Sequence, residues 1–380
     1  MMRRSLSSRR CLLWPSVLAL ALLAGCNETG PPPLPPLPEG ALEAVAVEPG
    51  VPRESLARAV DALFARDGIG ETRAVLVMHN GKIVAERYAE GFDAKTRFVG
   101  WSVSKTVTGV LLGMMVADGR LALDDSPPIE HWQRAGDPRG EITLRQLLQM
   151  RSGLRHQEMA EPTYDSAEVR MMFLDGRDDM AAWAEAQPLE QEPGRVFQYS
   201  TPSAVILSDI ATRLLAPDGD PAERQQAMAH FIDSRLAVPL GMDSLVAEYD
   251  AAGTMVGGSS IWANARDWGR FGELLRNGGS VGGVQVVPRG WISFMRSENT
   301  RAPDYGAMVW LNRPSGTDRD VLFADQGPQS LFAAVGHLGQ YILVSPSQGL
   351  TVVRLGKTDE EDRAALVDVL AELVALYPER

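Results

Sequence analysis

Residues with a strand-like pattern occur only near the two ends of the globular part of this chain, and the long stretch between them has a helical pattern. Ala74 to Met78 and Lys82 to Tyr88 are strand-like runs joined by His79-Asn80-Gly81, and Asn-Gly is the strongest short hairpin signal. An amphipathic segment opened by Pro52 precedes them, with Leu56, Ala59, Val60, Leu63 and Phe64 at helical spacing. Val103 to about Ala117 is strongly apolar and helical, and helical patterns continue to about residue 250. Strand patterns return at Gly282 to Val287, Tyr305 to Leu311, Phe332 to Val335, Gln340 to Val344 and Leu350 to Leu355, before a closing helix over Ala364 to Tyr377. This order predicts one split α/β domain over residues 53–380, interrupted by a mostly helical insertion at about 103–250. Neither half is complete alone.

The 380 residues are 45% hydrophobic and 23% charged, which suits a globular protein with a sizeable core. Their formal charge of -12 repels phosphate backbones and anionic headgroups, which argues against nucleic-acid binding. Cys11 and Cys26 are the only cysteines, too few for a disulfide framework or a zinc cluster. No Rossmann fingerprint, phosphate-binding loop or internal repeat is present, and His79, His131, His156, His230 and His337 show no ligand spacing. No metal or cofactor is therefore expected.

Residues 1–25 have the form of an export signal. Arg3, Arg4, Arg9 and Arg10 form a basic start, and Leu12 to Ala24 is an apolar run too short to span a bilayer. Leu23-Ala24-Gly25-Cys26 resembles a bacterial lipobox, which implies a lipoprotein acylated on Cys26 and held on the periplasmic side of a membrane or at the cell surface. Ser8-Arg9-Arg10-Cys11 loosely resembles a twin-arginine signal, so the export route stays open. Residues 26–52 follow as a tether, rich in prolines that favour an extended polyproline conformation.

Chemistry concentrates in Ser102-Val103-Ser104-Lys105. On a helix this Ser-x-x-Lys spacing puts both side chains on one face, one turn apart. A serine hydroxyl is a poor nucleophile until a neighbour takes its proton, and a helix N-terminus favours developing negative charge. The chain has only four lysines, so the match has few chances to arise by accident. Gly100-Trp101-Ser102-Val103-Ser104 comes close to a nucleophile elbow but has Ser104 where glycine is required. Pro193-Gly194 leads to Val196-Phe197-Gln198-Tyr199-Ser200-Thr201, where Tyr199 can act as base or proton relay. Gly336-His337-Leu338-Gly339-Gln340 enters a late strand, and Gly339 beside a strand edge would let a substrate backbone approach.

In this order the three segments resemble the serine β-lactamase and penicillin-binding-protein superfamily, specifically its class C-like branch with esterases and 6-aminohexanoate-dimer hydrolases. Ile142 to Leu148, Ser152-Gly153-Leu154, Pro239-Leu240-Gly241-Met242, Gly257-Gly258-Ser259 and Ala265 to Phe271 support it, and the likeness covers roughly residues 53–378. It implies a β-lactamase/transpeptidase-like fold, with an antiparallel sheet flanked by helices and an inserted helical subdomain. It further implies an acyl-enzyme on Ser102, Lys105 as proton partner and Tyr199 as base. The backbone N–H groups of Ser102 and Gln340 would form the oxyanion hole, with His337, Gly339 and Tyr164 in contact with substrate. Two departures matter. Thr201 stands where the family motif ends in asparagine, and as a helix N-cap before Pro202 it has a plain structural reason. His337 replaces the lysine of penicillin-recognising relatives, which favours an esterase or amidase over a penicillinase. The expected substrate is a small-molecule or peptide-like ester or amide, with no obligate protein partner. The rival is a family member that keeps the fold but has lost turnover and serves as an envelope binding protein.

Overall fold

A computed structural model describes residues 36–380, so the expected signal and Cys26 lie outside the described residues. From the N-terminal side come α1 (Arg53–Ala65), β1 (Glu71–His79), β2 (Lys82–Tyr88), β3 (Phe98–Val99) and α2 (Val103–Ala117). The middle holds α3 (Leu144–Leu148), α4 (Ala167–Phe173), α5 (Met180–Glu185), α6 (Thr201–Leu215), α7 (Pro221–Ile232) and α8 (Val238–Leu240). Next are β4 (Val246–Ala247), β5 (Ile261–Ala263), α9 (Ala265–Arg276), β6 (Ser280–Val281), β7 (Val284–Gln285) and α10 (Arg289–Met295). The chain closes through β8 (Trp310–Leu311), β9 (Phe332–Gly336), β10 (Gln340–Ser345), β11 (Leu350–Lys357) and α11 (Arg363–Val374).

The main sheet has the order β2-β1-β11-β10-β9-β8, and all of its pairings are antiparallel. First and last strands therefore meet at its centre, with Val77 opposite Val352 and Leu76 opposite Val353. This is the α/β fold with an antiparallel, helix-flanked sheet expected for a β-lactamase/transpeptidase-like chain. Asn80 and Gly81 form the two-residue turn between β1 and β2, both at positive φ, 50° and 81°, as such a turn demands. Helix α9 crosses β1, β10 and β11, and Gly272 brings it close: a Cβ there would lie 2.5 Å from Thr351 and 2.9 Å from Ile342. Helices α1 and α11 pack on one another, and α1 also packs on β1.

Three differences from the sequence reading have physical causes. The packed chain begins before residue 53, because Ala41 and Val45 are buried and the Ala46 N–H donates to the Val84 carbonyl along the outer strand β2. That contact covers a sheet edge which would otherwise expose unpaired backbone. Of the run Tyr305 to Leu311 only Trp310–Leu311 is strand, and Gly282 to Val287 contributes to a separate two-stranded hairpin of β6 and β7. Strands β3, β4 and β5 form a second small sheet, and at two or three residues each they are too short to show an alternating pattern.

Candidate active site

Helix α2 is buried from Val103 through Met115, which fixes the depth at which its N-terminus ends. Trp101, just ahead of it, sits at φ 48°, a left-handed conformation that a bulky residue adopts only where its surroundings hold it. The first turn is tight: the N–H groups of Val103, Ser104 and Lys105 donate to the carbonyls of Gly100, Trp101 and Ser102. Ser102 thus stands at the helix start with its side chain turned to Lys105.

Lys105 is buried and its Nζ donates to three oxygens: Ser102 Oγ at 2.8 Å, Thr201 Oγ1 at 2.7 Å and the Gly258 carbonyl at 2.9 Å. Three acceptors match the three N–H bonds of an ammonium. Gly258 belongs to the Gly257-Gly258-Ser259 segment, and a Cβ on it would lie 2.9 Å from the Thr201 methyl, so a glycine is needed for this approach.

Helix α6 delivers Tyr199 and Thr201. Gly194, at φ 84°, donates its N–H to the Arg151 carbonyl, and Gln198 donates to the carbonyl of Met150, so the loop before Tyr199 is tied down twice. The helix is capped by Ser200, whose Oγ accepts from the Ser203 N–H. The cap is therefore Ser200, and Thr201 is freed for the site. Half-buried Tyr199 stacks on Trp310 at 5.3 Å and meets Tyr305 edge-on at 5.9 Å, while Lys105 Nζ lies 4.9 Å from its ring centre. Burial raises the Tyr199 hydroxyl pKa above the ordinary phenol value, against the lowering effect of Lys105 and of hydrogen bonds with Ser102 and Lys105. Tyr199 at rest is a neutral phenol that can pass a proton rather than a phenolate base.

The end of β9 completes the group. A Cβ on Gly336 would lie 2.2 Å from the Gly100 carbonyl, so this glycine is where the strand passes the start of α2. The exposed His337 ring meets Trp101 edge-on at 5.6 Å. Strand parity then places the open backbone. The Asn312 N–H donates to the Leu331 carbonyl on the β8 side, so odd-numbered residues of this strand point their N–H and C=O toward that side. Pairing with β8 stops at Ala333, which leaves Val335 and, past the strand end, His337 facing an open edge.

Gln340 opens β10 opposite Gly336, and its side-chain amide donates to the carbonyls of His337, Leu338 and Gly356. Gly339, at φ 76°, belongs to the turn, and a Cβ on it would lie 2.7 Å from the Arg354 guanidinium and 2.9 Å from Leu366. Within this segment Gly336 and His337 reach the Gly100-Trp101 stretch just ahead of Ser102. Tyr164 is 63% exposed on the turn Thr163–Asp165, outside the hydrogen-bonded group.

Glu158 is the member that sequence reasoning missed. Its carboxylate accepts from the Thr201 N–H at 2.7 Å and from the Thr201 hydroxyl at 2.5 Å, and it lies 3.9 Å from Lys105 Nζ. Burial raises its pKa above the usual carboxylate value, against the pull of Lys105. No motif surrounds Glu158, and the one hint was the exchange of asparagine for a hydroxyl at Thr201. Among the described residues no group of three or more His, Cys, Asp or Glu could hold a metal ion, and no helix is long and apolar enough to cross a membrane.

The beta-lactamase family model matches residues 56–376. A relative from Paenarthrobacter ureafaciens, a 6-aminohexanoate-dimer hydrolase, is 23% identical over 328 residues, covering 84% of this chain and 81% of its own. Among solved structures, a family VIII carboxylesterase superposes with a TM-score of 0.61 at 16% identity, over 84% of this chain and 97% of the other. A penicillin-binding protein homologue from Caulobacter crescentus gives 0.60 at 16%, with coverages of 84% and 97%. At these identities the superpositions show the fold alone. The family match over most of the chain decides the classification: this protein belongs to the beta-lactamase family.

Proposed function

We propose that this chain is a serine hydrolase that cleaves ester or amide bonds through an acyl intermediate on Ser102. The carrying observation is the direct contact of Ser102 Oγ with the buried Lys105 at the start of α2, with Tyr199 beside both. Ser102 Oγ attacks the substrate carbonyl as its proton passes to Lys105, and the oxyanion is met by the N–H groups of Ser102 and His337. Tyr199 relays the proton from Lys105 to the departing alcohol or amine. Water then attacks the acyl carbonyl with the same groups in the same roles. Two of the named relatives support this reading, one being a 6-aminohexanoate-dimer hydrolase and another a carboxylesterase. His337 beside Ser102 offers an imidazole and no fixed ammonium for a carboxylate, which favours esters and amides over penicillins. In this reading the enzyme is exported and held at a membrane by lipid on Cys26. Labelling with a fluorophosphonate probe, followed by mapping of the labelled peptide, tests the mechanism: the tag is expected on Ser102, and a tag elsewhere or none overturns it.

A further inference from the structure

A base is needed for Ser102, and the resting site does not present a free one. Tyr199 is a neutral phenol, and Lys105 spends all three of its N–H bonds on Ser102, Thr201 and Gly258. The proton held by Lys105 does have a path out. Thr201 Oγ1 accepts from Lys105 at 2.7 Å and donates to Glu158 at 2.5 Å, so an ammonium, a hydroxyl and a carboxylate lie in one continuous chain. Little of its ends meets solvent, the Lys105 and Glu158 side chains being 2% and 15% exposed. Water therefore competes weakly for these bonds.

We propose that Glu158, acting through Thr201, is the proton store that converts Lys105 from ammonium to amine and so enables Ser102 to attack. This rests on the acyl-Ser102 reading and names a positioning residue within it. The Thr201 hydroxyl passes its proton to Glu158 Oε1 and takes one from Lys105, which leaves a carboxylic acid, an intact hydroxyl and a neutral amine. The amine keeps its N–H bond to the Gly258 carbonyl and rotates about its Cε–Nζ bond, so that the N–H bond formerly on Ser102 turns to the Thr201 oxygen and the lone pair faces the Ser102 hydroxyl. Ser102 Oγ bonds to the substrate carbonyl carbon as its proton goes to Lys105, and the carbonyl π electrons move to oxygen. When the intermediate collapses, the bond to the leaving group breaks and that group takes the Lys105 proton through Tyr199. Water repeats the sequence: its proton goes to Lys105, then to Ser102 Oγ as the acyl bond breaks. Glu158 finally returns the stored proton, so one water is consumed and no other reactant is needed. Thr201 is well suited to this relay, since the asparagine amide of related enzymes cannot exchange protons so readily.

The groups facing Glu158 are Lys105 from α2, Glu168 from α4, Tyr199 and Thr201 at the start of α6, and Tyr305. Lys105 favours the carboxylate, while Glu168 and burial favour the acid.

The test is the pH profile of kcat/KM for p-nitrophenyl butyrate in the full chain. The wild type, Glu158→Gln, Thr201→Val and Thr201→Ser are compared, each checked for a wild-type thermal melt, with Ser102→Ala as control. Only unprotonated Glu158 can accept a proton, so the wild-type rate should fall on the acid side as Glu158 protonates. Glu158→Gln and Thr201→Val should each lose about 100-fold at neutral pH together with that acid limb, whereas Thr201→Ser keeps both rate and limb. A Glu158→Gln or Thr201→Val profile that keeps the wild-type limb overturns the relay. If Glu158→Gln does not fold, Thr201→Val decides, since it leaves the carboxylate in place. An active Ser102→Ala protein would instead overturn the acyl-Ser102 reading.

Discussion

Ser102, Lys105 and Tyr199 meet within one hydrogen-bonded group although the tyrosine comes almost a hundred residues later in the chain, and their roles follow from what each can donate. In the proposed mechanism Ser102→Ala removes the atom that would form the acyl bond while leaving the backbone of α2 intact. We expect it to abolish ester hydrolysis, a loss of at least about 10⁴-fold, with an unchanged thermal melt. Full activity in the folded variant would refute the mechanism. His337 sets a second expectation. Its ring stands against Trp101, the residue before Ser102. A lysine there supplies a permanent charge, worth at most about 1 kcal/mol to a carboxylate at so exposed a position. Wild type should therefore prefer p-nitrophenyl butyrate to benzylpenicillin in kcat/KM, and His337→Lys should narrow the gap. A wild-type preference for the penicillin would remove the ester and amide assignment. An unchanged ratio would mean that residue 337 does not face the substrate carboxylate.

At the scale of elements, a buried histidine joins α5 to α6, and α5 ends in a buried glutamate. His156 Nε2 bonds to the Ala184 carbonyl at 2.9 Å, and Nδ1 meets Ser200 Oγ, the cap of α6, at 3.2 Å. Burial drives the His156 pKa down to about 4. Glu185 lies beside Arg213, His131 and Asp209, and burial drives its pKa up to about 7, chiefly against the pull of Arg213. The signs are opposite. A histidine depressed in the folded state contributes stability that is full above its unfolded pKa of about 6.5 and is lost as pH falls to about 4. A raised carboxyl contributes stability that is full below about 4.5 and is lost as pH rises through about 7. Between about 4.5 and 6.5 the two slopes cancel, at about 1.4 kcal/mol per pH unit each. Relative to wild type in urea unfolding, Glu185→Gln should lose stability more steeply as pH falls from 6.5 to 4. His156→Gln should lose it less steeply. Parallel curves for all three proteins would show that neither group titrates as its burial demands. Neither shift was legible in the sequence, where His156 and Glu185 carry no pattern and only packing buries them.

Across the whole molecule, what the sequence disclosed depended on the range over which each signal acts. Hairpin, apolar helix and closing strands were legible because turn chemistry and periodicity are local, and their separation along the chain required a shared sheet. Glu158 was not, because its role arises only when a loop folds against α2 and α6. Gly339 drew attention as a glycine beside a strand, and Gly336, which passes the Gly100 carbonyl just ahead of α2, did not, because that approach exists only once β9 is packed there. The N-terminal segment obeys another logic, since no packing in the described domain requires Cys26. Its sequence context, Leu23-Ala24-Gly25-Cys26 after an apolar run, is what the proposed processing and acylation would require. The packed chain starts near Ala41, 15 residues after Cys26, and a polyproline spacer of that length would reach about 47 Å at about 3.1 Å per residue. A spacer of that length would hold the site close to a membrane without burying it in lipid, and the acidic surface contributes nothing to the attachment. Metabolic labelling with a clickable palmitate should therefore mark the wild type, and Cys26→Ser should lose both the mark and sedimentation with membranes while its purified domain still hydrolyses ester at the wild-type rate. Equal labelling of both proteins would refute lipid attachment at Cys26, and loss of soluble activity in Cys26→Ser would show that this segment is part of the enzyme rather than its tether.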